Sequence, residues 1–420
     1  MTSSAAFEDW VAEARAVTVA AELQRRGVPA VHEQNRPCPA PGCGGVDRFA
    51  VNTRKNVWIC RASGAGGDAI ALCQHIDGTS FAAAVETLTG RPPPGRAAAE
   101  TEAERQARHA RLAAAAEEAN RKTAEEAIAA HGFREAERRR SHAIWRSGRP
   151  IAGTPAESYL RLRGIEPFAG LRMRYLPDAP LWDKPAPHGE VVHQGPVLLA
   201  PIVRDGRFAG IHQTWIDLTA ADGKARVPDR NGELLPARKV RGSKRGSHIE
   251  LARGPDAPTR LYMGEGNETV LSVRQALARR RPHLVDGAAF WSAIDLGNLS
   301  GKAARGRAHP TLTTVDKNGR TLPQRVAGPV PDREEPAIVL PASVLELVLL
   351  GDGDSEPVMT GFAMDRAKAR YERHHEGLSV AIAMAPAGRD YNDVLREPGE
   401  STSETSAGAT GWVDEGRGAA

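Results

Sequence analysis

The sequence predicts a multidomain α/β protein: a small cysteine-bearing head, a helical spacer, an α+β segment and a parallel α/β sheet. Three observations predict it. The chain has 420 residues, more than one ordinary hydrophobic core accommodates. Three of its four cysteines, Cys38, Cys43 and Cys60, fall close together among turn residues. From residue 258 onward, short apolar runs alternate with helical stretches in βαβ order.

Composition narrows the class. Hydrophobic residues make up 41% and charged residues 26%, the balance of a soluble globular chain. The net charge of +4 excludes a polyacidic buffer without establishing a polyanionic partner. No run approaches the roughly 20 apolar residues of a membrane span. The first ten residues, Met1 to Trp10, lack the basic and apolar regions of a secretory signal, so a cytoplasmic location and no membrane partner are expected. In that setting a disulfide framework is disfavoured and a metal site favoured.

The head spans 1–90. Residues 7–29 read as a short amphipathic helix with Trp10, Val11, Ala14, Val17 and Leu23 as its apolar positions. Strand signals follow at Arg48–Asn52 and Asn56–Cys60. Asp68 and Ser80 are helix N-caps, and Gly78 and Gly90 stop the two helices they begin. Pro92-Pro93-Pro94 then breaks the chain.

The linker, 91–140, is rich in Ala, Glu and Arg. Leu112, Ile128 and Phe133 are its large apolar residues, too few for a coiled-coil seam, so a solvated helical spacer is expected. Arg138, Arg139 and Arg140 read as its solvated end. Residues 141–257 read as α+β. Val197–Val203 and Phe208–Leu218 alternate around Asp205-Gly206, a two-residue hairpin turn. His212 and Trp215, on the second strand, read as packing residues. Residues 258–400 carry the βαβ pattern, with a Pro- and Gly-rich insertion at about 302–343 and strand signals at Leu261–Gly264, Leu345–Leu350 and Leu378–Met384. The Ser-, Thr- and Gly-rich segment 401–420 reads as a disordered tail.

The chemistry resides in carboxylates at strand ends. Glu265 follows Leu261–Gly264, and Asp352 and Asp354 follow Leu345–Leu350. Open α/β sheets place their sites beyond the carboxyl ends of strands. Two acids at i and i+2 around a glycine repel each other, and a divalent cation relieves that repulsion. Mg²⁺ suits few carboxylates, several waters and phosphate oxygens. A third loop, Arg389-Asp390-Tyr391-Asn392-Asp393, ends the pattern. Taken alone, Asp352-Gly353-Asp354 is equally a turn.

A basic cluster precedes the sheet. Arg238, Lys239, Arg241, Lys244 and Arg245 lie within eight residues, with Gly242 and Gly246 beside them. This reads as a flexible loop suited to phosphate contact, with Lys224 able to join it. A solvated loop is the alternative.

In the head, Cys38 and Cys43 flank a tight turn, and Cys60 lies beyond Asp47-Arg48-Phe49. Two knuckles about 16 residues apart have the layout of a tetrahedral zinc ribbon. Cys73 and His75 sit on the following helix, Cys73 among core positions.

On these residues the sequence resembles a known family. Residues 258–396 resemble a Toprim domain, the catalytic module of bacterial and phage-type primases, topoisomerases and some nucleases, which implies a small Rossmann-like sheet. Glu265, Asp352 and Asp354 stand at its acidic motif positions, and Gly388–Leu395 resembles the closing motif of the primase-like variants. The head resembles the N-terminal zinc ribbon of the same primases. One departure is Ser63, where the family places Cys or His, so His32 is the preferred outside ligand beside Cys38, Cys43 and Cys60. A neutral hydroxyl holds Zn²⁺ poorly. A metal-free ribbon is the alternative.

The resemblance implies a DNA primase-like nucleotidyltransferase making short primers on a single-stranded DNA template from nucleoside triphosphates, in phage, plasmid or mobile-element replication. Asp352 and Asp354 would hold Mg²⁺ (or Mn²⁺). Glu265 would be a further ligand or the acid/base. The basic cluster 238–245 would hold template or triphosphate. Arg48, Arg54 and Lys55 are candidate backbone contacts in the head, and Phe49 and Trp58 are either base-stacking residues or a miniature core. Absence of a P-loop excludes a fused helicase motor, so a helicase partner would be separate. The alternatives are a Toprim nuclease and a non-catalytic DNA-binding accessory protein.

Overall fold

The computed structural model describes residues 2–29, 35–94, 102–183, 189–252, 256–315, 320–332 and 337–397. His32 and the expected tail 401–420 lie outside them. The chain divides into two units, Met1–Ala124 with Asp316–Arg320, and Glu125–Val315 with Thr321–Ala420. Among the described residues, no helix is long and apolar enough to cross a membrane.

The first unit opens with α1 (Thr2–Ala16) and α2 (Val19–Arg25). The sequence predicted one helix here; Thr18 divides it, its hydroxyl accepting from the Ala21 N–H at 3.0 Å as an N-cap. Strands β1 (Phe49–Asn52), β2 (Val57–Cys60) and β3 (Gly66–Gly67) form a three-stranded sheet in that order. α3 (Ala69–Asp77) and α4 (Phe81–Thr89) begin at Asp68 and Ser80 and end at left-handed Gly78 and Gly90. Two small cores result. Trp10, Val11 and Ala14 pack on Ile70, Cys73 and Val85. Val19 and Leu23 pack on Phe49, Trp58 and Leu72. Phe49 and Trp58 therefore form a miniature core, stacked at 5.6 Å between ring centroids, and are not free to stack on bases.

The boundary between the units falls within α5 (Glu102–Ser147). Ile128 and Phe133 are exposed on it, as its sparse apolar content requires. Its last turn brings Ile144 and Trp145 onto a core of Leu181, Val197, Leu199 and Trp215.

The second unit continues with α6 (Pro155–Leu162), β4 (Arg174–Trp182), β5 (Val191–Arg204), β6 (Arg207–Trp215) and the short pair β7 (Val227–Pro228) and β8 (Leu234–Leu235). Asp205 and Gly206 both take positive φ, 49° and 70°, which closes the β5–β6 hairpin. Next come β9 (Arg238–Gly242), β10 (His248–Ala252), β11 (Arg260–Gly264), α7 (Asn267–Arg280), β12 (Ala288–Ser292) and α8 (Leu296–Ser300). The insertion folds as a hairpin of β13 (Gly306–Val315) and β14 (Thr321–Ala327). β15 (Glu346–Gly351), α9 (Pro357–His374), β16 (Ser379–Met384) and α10 (Tyr391–Arg396) complete the unit.

Nine strands join in one mixed sheet, ordered β16-β15-β11-β12-β10-β5-β6-β9, with β4 on β5. β10 pairs antiparallel with both β5 and β12, so the α+β and βαβ segments share this sheet. β16, β15, β11 and β12 run parallel. Alternation along β11 sends Leu261 and Met263 to one core and Tyr262 to the other, as a parallel sheet buried on both faces demands.

One glycine fixes the loop beyond β15. A Cβ on Gly353 would lie 2.3 Å from the Pro386 carbonyl oxygen and 2.6 Å from that of Ala385. The Gly353 N–H donates to the Arg389 oxygen at 2.9 Å, and the Gly388 N–H to the Gly353 oxygen at 2.7 Å. Gly353→Ala is expected to cost about 1–3 kcal/mol of stability through overpacking. Gly361→Ala, in open space on α9, is expected to be neutral or stabilising; thermal melts of the two variants check both.

Candidate functional site

The four cysteines are all free thiols. Cys38, Cys43 and Cys60 converge with His75 of α3, their ligand atoms all within 4.8 Å of one another. Cys43 Sγ lies 3.3 Å from Cys60 Sγ, and Cys38 Sγ lies 3.2 Å from His75 Nε2. Zinc–sulfur arms of about 2.3 Å would give tetrahedral edges of roughly 3.7 Å, so this three-sulfur, one-nitrogen group fits Zn²⁺ in size and in donor type. Trp58 holds the His75 ring by stacking on it at 4.9 Å, and its indole N–H is fixed on the Asp68 carbonyl at 3.0 Å.

His75, rather than His32, is thus the described residue that completes the group. The sequence hid it because it stands 15 positions beyond Cys60, on a helix, and only folding brings it back. Ser63 supports from outside. Burial pushes the Cys60 thiol up, but hydrogen bonds from the Ser63 hydroxyl and backbone and from Cys43 outweigh it, and the thiol is lowered to about 6. Cys73 is apart from the group, buried and bonded to Glu22 Oε1 at 3.3 Å.

In the second unit, the four parallel strands send their carboxyl ends to one edge. Glu265 follows β11, Asp352 and Asp354 follow β15, Asp295 lies three residues beyond β12, and Asp390 lies six beyond β16. Gly264 pairs with Leu350, so Glu265 and Asp352 leave neighbouring strands one register position apart. Their fields overlap. Burial and then the Glu265 charge raise Asp352 to about 7, against a hydrogen bond donated by Thr269 Oγ1 at 3.1 Å. Burial raises Glu265 as well, Asp295 and Asp354 adding to it and Arg238 opposing. Among the described residues these acids do not draw three oxygens together as the thiols do. The arrangement is more open, which suits a hard cation that keeps waters.

Glu268, in the first turn of α7, behaves oppositely. Burial alone would raise it, but Lys224, Arg238 and the Tyr159 hydroxyl hold it well below the usual carboxylate range. Tyr159 donates to it at 2.5 Å, and Lys224 Nζ lies 3.6 Å away. Asp390 caps α10 in a capping box with Asp393. Asn392, fully buried, donates to the Arg163 carbonyl at 2.7 Å and to Ser272 Oγ at 2.9 Å, so the closing loop is braced against α7.

The basic cluster is not a loop throughout. Arg238, Lys239 and Arg241 lie on β9, hydrogen-bonded along β6 from Gly210↔Gly242 to Thr214↔Arg238. Gly242 ends the strand because the β6 backbone passes too close for a side chain, 2.3 Å from a Cβ to the Ala209 oxygen. Arg241 pairs with Glu137 at 2.8 Å, and Lys244 pairs with Asp295. Lys244 and Arg245, with Asp295, Asn298 and Arg370, line a cavity of about 220 Å³. Arg238 faces the acids. Lys224 meets Glu268 rather than joining a phosphate patch. Trp215 and His212 are buried in the sheet, and burial lowers His212 to about 4.

Residues 135–251 match a family model described as "Domain of unknown function (DUF7146)". Among solved structures, the chain is similar to the Aquifex aeolicus primase, zinc binding and RNA polymerase domains, at 13% identity and TM-score 0.33, over 92% of this chain and 82% of that one. A DNA primase domain from Pseudomonas aeruginosa matches at 13% identity and TM-score 0.34, over 62% of this chain and 74% of that one. The primase fragment of the bacteriophage T7 primase-helicase protein matches at 12% identity and TM-score 0.25, over 86% and 94%.

Two outcomes are expected. Purified protein should carry one zinc per chain by metal analysis. His75→Ala should weaken its binding by about 2–4 kcal/mol in chelator competition, one ligand's share of the roughly 10–16 kcal/mol of structural zinc. The second concerns Asp352 in divalent-free buffer. A carboxylate raised in the folded state contributes stability that is fully present below its unfolded pKa, near 3.8, and is lost as pH rises through about 7. Asp352→Asn should therefore stabilise by on the order of 2–4 kcal/mol at pH 8, with the gain vanishing near pH 4; denaturant titrations at the two pH values check this.

Proposed function

We propose that the chain is a DNA primase-like nucleotidyltransferase, with residues 258–400 as a Toprim domain. One observation carries the reading. In the order β16-β15-β11-β12, the chain leaves β11 toward β12 and leaves β15 toward β16, in opposite directions. The crevice between β11 and β15 is thus a topological switch point, where open α/β sheets hold their ligands. Glu265 and Asp352 flank it, with the motif spacing of the Toprim acids.

The residues divide the work. Asp352 and Asp354 would hold Mg²⁺ (or Mn²⁺), which when bound carries the incoming nucleotide's phosphates and lowers the pKa of the primer 3′-hydroxyl. Glu265 would be a further metal ligand or take the hydroxyl proton, a role that its raised proton affinity from burial supports. Arg238, whose charge acts on both Glu265 and Glu268, would meet negative charge on the phosphates. Lys239 lies beside it on β9. Arg241 and Lys244 must first leave Glu137 and Asp295. Arg48, Arg54 and Lys55 remain the head's candidate contacts to a single-stranded template. The Cys38, Cys43, Cys60 and His75 group would keep the ribbon folded around Zn²⁺.

The test is template-dependent synthesis on single-stranded DNA with Mg²⁺ and labelled nucleoside triphosphates, beside a nuclease assay on the same DNA. Wild type should extend. Asp352→Asn with Asp354→Asn should reduce extension by about 10³-fold, the several kcal/mol of a lost metal site, with unchanged circular dichroism. Full turnover in the double variant would sink the assignment of these acids. Degradation without synthesis by wild type would identify a nuclease instead.

A further inference from the structure

The β13–β14 hairpin takes no part in the site described above. It forms a separate two-stranded sheet, and of its strand residues only His309 and Val326 are buried. A ribbon exposed on both faces is marginal in water unless it is anchored. Two anchors are present. Arg366 of α9 grips both ends, donating to the Gly301 carbonyl at 3.0 Å, to Ser300 Oγ at 2.9 Å and to the Gly328 carbonyl at 2.5 Å. His309 is the second. Its Nδ1 accepts from the Leu312 N–H at 2.8 Å and the Thr311 N–H at 3.2 Å, which leaves the ring proton on Nε2. That nitrogen faces Glu356 Oε1 at 3.1 Å. Glu356 caps α9 through the Met359 N–H and stands two residues after Asp354. The ribbon is therefore fastened to the helix that follows the candidate metal loop.

Its charge has one sign. Residues 302–331 contain six Lys or Arg against a single acid, Asp316. Arg305, Arg307 and Arg325 are exposed near its base. Arg325 reaches across the ribbon to the Gly306 carbonyl at 2.7 Å. The seven residues of β14 extend about 23 Å, and β13 bulges opposite them between Ala308 and Thr313.

We propose that this ribbon is an arm that lies along the phosphodiester backbone of a nucleic acid. Charge complementarity selects that occupant, because exposed guanidinium groups on a narrow ribbon suit a line of phosphates and read no bases. The proposal requires binding only, so it stands or falls apart from the catalytic reading.

The test is fluorescence anisotropy of the full chain with a labelled oligonucleotide, single-stranded and duplex, across a salt series. Arg305→Gln with Arg307→Gln and Arg325→Gln should weaken binding to at least one form and flatten the log Kd against log salt slope by about 2–3. Arg307→Gln alone should flatten it by about 0.7–0.9, and this single exposed change keeps the test valid if the triple variant misfolds. A control that removes three cations from α5, Arg121→Gln with Lys122→Gln and Arg134→Gln, should leave the slope in place. Unchanged slopes in both ribbon variants would overturn the proposal, as would an equal shift in the control.

Discussion

Parallel pairing of β11 with β15 sets the terms for the rest of the second unit. Its register, from Arg260↔Glu346 to Gly264↔Leu350, delivers two carboxylates to adjacent positions at the edge of a sheet buried on both faces. Like charges so placed are costly in low dielectric. The surrounding structure works against that cost in part. Thr269 donates to Asp352, Arg238 faces Glu265, and Gly353 lets the Asp352–Asp354 loop lie directly on the backbone of the loop after β16. The apolar strands Leu261–Met263 and Leu347–Leu350 supply the burial that holds the arrangement together. A residual penalty persists in the raised Asp352 and Glu265, and a cation bound at the switch point would relieve it.

Glu265 and Glu268 show how environment separates two identical side chains one turn apart. Glu268 is buried and Glu265 partly so, and burial pushes both upward. Glu268 has Lys224, Arg238 and the Tyr159 hydroxyl around it and stays ionised. Glu265 has Arg238 against two further acids and is raised. The ionised Glu268 pairs with Lys224 and attracts Arg238 at longer range. Glu265 keeps a proton affinity that chemistry can use. The same logic explains why a dense run of cations is only partly available to a phosphate. Arg241 and Lys244 already neutralise Glu137 and Asp295, and the cluster works first as internal charge balance.

Features controlled by near neighbours in sequence were legible. The caps at Asp68 and Ser80, the left-handed stops at Gly78 and Gly90, and the Asp205-Gly206 turn each depend on a few adjacent residues. The strands carrying Glu265 and Asp352 were legible because apolar runs end abruptly in acids. Features created by distant contact were not. Gly242 and Gly246 suggested a loop, whereas β6 turns Arg238–Gly242 into a strand. The Pro- and Gly-rich insertion gave no strand signal, yet a two-stranded ribbon forms there, whose open edges tolerate Pro310 and Pro323. Asp295 entered the site only through the parallel placement of β12.

His75 illustrates the same limit with a structural consequence. A ligand at the position of Ser63 would close the zinc group within its own turn. A ligand on α3 closes it through a helix that also carries Ile70 and Cys73 into one core and Leu72 into the other. Zinc held by His75 would therefore link β1 and β2 to both cores of the head. Metal-binding free energy that in a self-contained ribbon stabilises only the turns would here be shared with α1, α2 and α4. Trp58 makes the link rigid, because the ring that stacks on His75 is itself buried against Phe49 and tied to Asp68. With Ser63 in place of a ligand, a metal held through His75 would thus sit at the joint between the head's sheet and its helices rather than at its edge.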